Sequence, residues 1–166
     1  MMIDRKFSLR RGGSTAVRVR TALACALVAV TLNPRIASAT LGEDGTTVER
    51  DRVQMQAQRN VTQSTAYAVH ELQLPGGLQV HEYVTSANKV FAVSWNGPSI
   101  PDLQVLLGAH FARFSAAAHA SGRSRAPVVV HDADLVIQSA GRPRAFFGMA
   151  YLPQQVPAGV RVEQLR

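Results

Sequence analysis

The sequence predicts an α+β domain, with antiparallel β-meanders or hairpins packed against one main helix and preceded by a short N-terminal helix. Three observations predict it. Residues 64–95 alternate apolar and polar side chains with period two, and the clusters Pro75-Gly76-Gly77 and Ser86-Ala87-Asn88-Lys89 divide that run with turn chemistry. Leu103, Leu106, Leu107, His110, Phe111 and Phe114 recur at helical spacing. Strand-like segments group together and apart from this helix, which argues against alternating β-α-β units.

Taken in order, the first 39 residues read as a cleavable export signal. A basic, polar stretch precedes an apolar run over 21–32, Asn33-Pro34 ends the run, and Ala37-Ser38-Ala39 is a small-x-small cleavage site. Twelve helical residues rise about 18 Å, short of a ~30 Å hydrocarbon core, so a transmembrane anchor is not expected. Arg10-Arg11 lacks the surroundings of a twin-arginine signal, and Cys25 lies inside the apolar run, where it acts as apolar filler. Cleavage after Ala39 leaves a single domain, 40–166, without cysteine and hence without disulfide, thiol nucleophile or thiolate metal site. The expected location is periplasmic or extracellular. The formal net charge of +7 belongs to the signal: seven of the 18 basic residues lie within the first 35 positions, and 11 basic against 10 acidic residues remain from residue 40 onward. A grip on nucleic acid needs a basic face in the folded part, and this composition gives none.

Residues 47–60 lack Gly and Pro and favour a helix, although Val48, Val53, Met55 and Ala57 make a thin apolar face. Strands follow over 65–74, 78–85 and 90–95. A three-residue first loop pairs Leu74 with Leu78, Leu72 with Val80, His70 with Glu82 and Ala68 with Val84. The second turn pairs Val84 with Phe91, Glu82 with Val93 and Val80 with Trp95. One face then collects Leu72, Leu74, Leu78, Val80, Val84, Phe91, Val93 and Trp95; the other collects Tyr67, Val69, Glu71, His81, Tyr83 and Ser94. Slipping either hairpin by one residue would mix the faces. Pro101 and Asp102 suit the first turn of a helix over 101–120, with Trp95 facing its stripe. Strands over 128–130, 134–140 and 145–152 complete the domain. Their apolar residues fall on both parities, so these strands are expected to be central or covered on both faces.

Several of these runs resemble a family of small exported bacterial proteins catalogued only as a domain of unknown function. They are Ala66-Tyr67-x-Val69-His70-Glu71-x-x-Leu74-Pro75-x-Gly77, His81-Glu82-Tyr83-Val84, Lys89-Val90-Phe91-Ala92-Val93-x-Trp95-x-Gly97-Pro98, Pro101-Asp102-Leu103-x-x-Leu106-Leu107-Gly108, Ala150-Tyr151-Leu152-Pro153 and the start Ala39-Thr40-Leu41-Gly42. His110 departs from the family, which more usually has an aromatic there. The resemblance implies export and one domain, and supplies no catalytic residues.

The chemistry-bearing constellations are few. His70 and Glu82 face each other across a hairpin and form a structural or functional pair; a His–carboxylate pair needs a nucleophile or bound water beside it to act as a base. His131, Asp132 and Asp134 offer metal-capable groups on one loop, without further ligands marked by spacing, and no metal or cofactor is expected. Arg123 and Arg125, with Arg142 and Arg144, make two basic loop tips that could hold an anion if the loops are neighbours. No Gly-x-Ser-x-Gly elbow or phosphate-binding glycine loop occurs, so no catalytic residue is assigned. The expected function is an exported, non-enzymatic binding or interaction protein. Tyr67, His81 and Tyr83 form its candidate binding face, and another exported protein or envelope component is its expected partner. The alternative is a small hydrolase or metal-dependent enzyme built on His70 and Glu82 or on His131, Asp132 and Asp134.

Overall fold

A computed structural model describes residues 41–122 and 126–165. The segment expected to be an export signal, with its expected cleavage site, and Arg123 and Arg125 lie outside the described residues. The glycine pair of the first turn adopts φ +84° and +86°, which only glycine reaches without strain. The hairpin it closes joins β2 (Tyr67–Gln73) to β3 (Gln79–Thr85). The Leu74 N–H donates to the Leu78 carbonyl at 2.8 Å, and Leu72 pairs with Val80, His70 with Glu82 and Ala68 with Val84, as the alternation predicts.

The second hairpin, to β4 (Val90–Gly97), keeps Glu82 opposite Val93 and Val80 opposite Trp95. The pairing slips between Tyr83 and Val84, however, so Val84 faces Val90 instead of Phe91. Such an irregularity adds one residue to a strand and turns a side chain over. Phe91 is therefore not on the Leu72 face; it packs with Tyr83, and their ring centroids lie 6.2 Å apart.

The helix expected over 47–60 is shorter. α1 spans Thr47–Gln54, Gln56 takes φ +53°, and residues beyond it form β1 (Gln58–Gln63), antiparallel to β2. All six residues of β1 are exposed, so side-chain burial does not choose between helix and strand; the free edge of β2, which offers a backbone ladder, does. The helix over 101–120 is also broken. α2 (Leu103–Leu107) is followed by a 3-10 turn (Gly108–His110) and α3 (Phe111–Ala120), with Gly108 at φ +48°. Asp102 lies outside the first turn as its cap: the Gln104 and Val105 N–H groups donate to its Oδ1 at 3.0 and 3.2 Å.

β5 (Val128–His131), β6 (Val136–Arg142) and β7 (Ala145–Tyr151) complete one seven-stranded antiparallel sheet of order β1-β2-β3-β4-β7-β6-β5. The α+β class holds. Register strings side chains into rows across the sheet. On the inner face one row runs Arg59, Leu72, Val80, Trp95, Gly148, Ser139, Val128, and the next runs Val61, His70, Glu82, Val93, Ala150, Ile137, Val130. The helices cover this face: Val48, Leu103, Leu106 and Leu107 join Trp95, Val93 and Ile137 in one buried cluster, with Phe111 and Phe114 packed on it. The Trp95 ring lies over Gly148, where a Cβ would overlap it. On the outer face one row runs Asn60, Glu71, His81, Ser94, Met149, Gln138, Val129. Residues after β7 cross that face in two 3-10 turns, Pro153–Gln155 and Val162–Gln164.

Candidate functional site

The inner face holds an unusual set of polar groups. Asp51 of α1 is 1% exposed and Glu82 of β3 is wholly buried, and among the described residues none of their four carboxyl oxygens has a hydrogen-bond partner. Burial raises the Asp51 pKa to about 7. Burial also pushes Glu82 well above the carboxylate range, and the charge of Asp51 raises it further. Both groups therefore favour the neutral acid. His70 sits opposite Glu82 by register but shares no hydrogen bond with it; its Nδ1 is buried and has no hydrogen-bond partner among the described residues. Burial and the Arg59 charge lower its pKa. Arg59, on β1, is held by Glu49 of α1 at 3.1 Å. This cluster gives a substrate no path to Glu82.

His131, Asp132 and Asp134 are not brought together as ligands. Arg113 of α3 takes Asp134 in a two-pronged grip, each N–H···O contact 2.9 Å, and also holds Asp132. This ties α3 to the β5–β6 connection, and the guanidinium holds Asp134 below its usual pKa. Among the described residues, no three His, Cys, Asp or Glu groups converge as metal ligands.

Tyr67, His81 and Tyr83 do share the outer face, but the face is not open over Tyr83. Tyr83 is 3% exposed. It packs with Tyr67, Val69 and Phe91 beneath Val156, Val160, Val162 and Leu165 of the C-terminal segment. The Tyr67 ring meets Tyr83 and Phe91 edge-on at 5.9 and 5.8 Å, and the Tyr83 hydroxyl and Ser94 Oγ lie 3.4 Å apart. The cover is this segment.

The open part of the outer face lies toward β5. A groove of about 660 Å³ runs over Val129, Gln138, Phe147, Met149 and Tyr151, walled by Val162, Glu163 and Leu165. Phe147 is 59% and Val129 58% exposed. A second depression of about 710 Å³ continues it past Pro127 to the β6–β7 turn with Arg142 and Arg144. Both are lined by Asn96, Pro127, Ala140 and Phe147.

A family described as Protein of unknown function (DUF2844) matches residues 37–165. The chain belongs to that family. No curated protein and no solved structure matches it. In this DUF2844 chain, sequence reasoning drew its candidate binding face around Tyr67, His81 and Tyr83; the open groove on the same side of the sheet lies over Val129, Phe147 and Met149. The signal was present in β7, where apolar residues on both parities require a second cover or an exposed apolar surface. Asp51 left no signal, because a lone carboxylate in a polar helix reads as solvated.

Proposed function

We infer that this DUF2844 chain is an exported, non-enzymatic binding protein that carries an apolar ligand in the outer-face groove. Export is supported by the apolar run over 21–32 and by Ala37-Ser38-Ala39. The observation that carries the binding reading is Phe147, a large aromatic side chain 59% exposed inside a groove of about 660 Å³. Concave, largely apolar sites with a few polar groups are where small ligands bind. Ser94, Asn96 and Gln138 supply such groups here. A hydrolytic reading through His70 and Glu82 is disfavoured, because Glu82 is sealed from solvent.

Two measurements test this. N-terminal sequencing of the exported form is expected to begin at Thr40; a chain that keeps residues 1–39 and stays on the membrane overturns export. A melting-temperature screen of apolar small molecules is expected to find ligands that stabilise the protein by mass action but do not stabilise Phe147→Asp. Hits that stabilise both equally place binding elsewhere and sink the groove.

A further inference from the structure

We propose that the ligand is a single-chain anionic amphiphile, a free medium-chain carboxylate, with its head at the β6–β7 turn and its tail along Phe147 and Met149. This rests on the groove being the binding site and adds the ligand's chemistry and direction.

The charges carry it. The described residues lining the two joined depressions include three charged side chains: Arg142 and Arg144 at the turn, and Glu163 in the half away from it. Among the described residues neither arginine forms an ion pair, in contrast to Arg52, Arg59 and Arg113. Arginine offers a planar fork that matches a carboxylate. Glu163 repels the same head, so the charge pattern orients the ligand. Between the two ends lies apolar surface: Pro127, Ala140, Phe147 and Met149. From Ala145 to Met149 the strand advances about 13 Å, the scale of a medium acyl chain.

The backbone adds an independent observation. Arg144 holds φ +69°, in the left-handed region where glycine or asparagine is favoured and other side chains are strained. Pro143 before it fits a turn whose next residue needs positive φ. A glycine would make this turn with less strain, so an arginine here is explained by what its side chain does. Strain of this kind clusters at functional positions.

The test is calorimetric titration of the purified protein with dodecanoate, dodecanol and dodecyltrimethylammonium, all below their micellar concentrations. Dodecanoate is expected to bind one to one, at least tenfold tighter than dodecanol and tighter still than the cation. Arg142→Gln combined with Arg144→Gly should lose at least tenfold in dodecanoate affinity, as expected for a charge-assisted contact, and keep its affinity for dodecanol. Arg144→Gly alone should weaken dodecanoate while melting at the same or a higher temperature. Equal binding of dodecanoate and dodecanol, both abolished by Phe147→Asp, overturns the anionic head and leaves the groove. Binding of none of the three, with other apolar compounds still bound through Phe147, overturns the amphiphile alone. Binding to anionic phospholipid vesicles without binding to dodecanoate assigns the arginines to a membrane surface and overturns the free carboxylate. A dimer that Phe147→Asp converts to monomer places a second copy in the groove and overturns both readings.

Discussion

At the scale of single residues, Asp51 ties stability to pH. An unfolded aspartate loses its proton near pH 4, whereas buried Asp51 keeps it to about pH 7. The folded state therefore holds the proton more tightly. The stability linked to it is complete below pH 4 and is lost as pH rises through 7. Glu82, shifted the same way, extends the loss upward. Arg50 on the helix and Arg59 on β1 offset part of it, and His70 stands opposite Glu82 across the hairpin. Keeping a proton from about pH 4 to about pH 7 is worth at most about 4 kcal/mol. Asp44, Glu49 and Asp134 have lowered pKa values and act in the opposite sense, so the informative quantity is a difference. Asp51→Asn should match the wild type at pH 4 and exceed it at pH 8 in denaturant unfolding. An Asp51→Asn variant that is less stable at pH 8 would mean that the carboxylate is satisfied when charged. Trp95 and Gly148 make a second residue-scale case. Adding one methyl under the indole forces either the ring or β7 to move, so Gly148→Ala should cost about 1–3 kcal/mol. Trp95→Ala should cost about 3–5 kcal/mol by emptying the same space. Thermal melts check both, and an unchanged Gly148→Ala melt would mean that the ring does not rest there.

At the scale of elements, what was legible in the sequence divides by whether burial chose the conformation. The β2–β3 register could be read because Leu72, Val80 and their neighbours are apolar on one parity only. The slip before Val84 could not, since Val90, Phe91, Ala92 and Val93 are apolar on both. β1 is exposed throughout and polar at every position but Val61, and the ladder to β2 defines it. The C-terminal segment escaped for a related reason: Pro153, Pro157 and Gly159 are consistent with irregular backbone, but Val156, Val160, Val162 and Leu165 follow no period, so their burial on the outer face had no signature. That segment gives the groove one wall. Leu165 is fully buried against Tyr83 and Phe91, so Leu165→Ala is expected to cost about 2–5 kcal/mol and to expose Tyr83. Tyrosine fluorescence quenching and a melt would register both. An unshifted melt would show the segment to be loosely held. The same variant should also reduce ligand stabilisation, because the wall and the aromatic cluster share this residue.

At the scale of the whole molecule, the strand order sets a timetable. β4 is buried from Val90 to Trp95 and is flanked by β3 on one side and β7 on the other. β3 precedes it immediately in the chain, but β7 begins about fifty residues later, after α2, α3, β5 and β6. A polypeptide emerging N-terminus first therefore completes a four-stranded meander whose most apolar strand is an open edge. Unpaired apolar edges recruit other chains. A chain stopped before β7, at residue 144, should accumulate as aggregate, whereas chains carried through residue 165 should stay soluble; a soluble, monomeric short form with native circular dichroism would contradict this. As the chain emerges, the interval between β4 and β7 is when a holding chaperone would have something to grip, and the arrival of Ala145–Tyr151 would remove the handle. Release from such a chaperone would then be governed by how much of the chain has emerged: the molecule lets go of its helper when its seventh strand closes the gap beside its fourth.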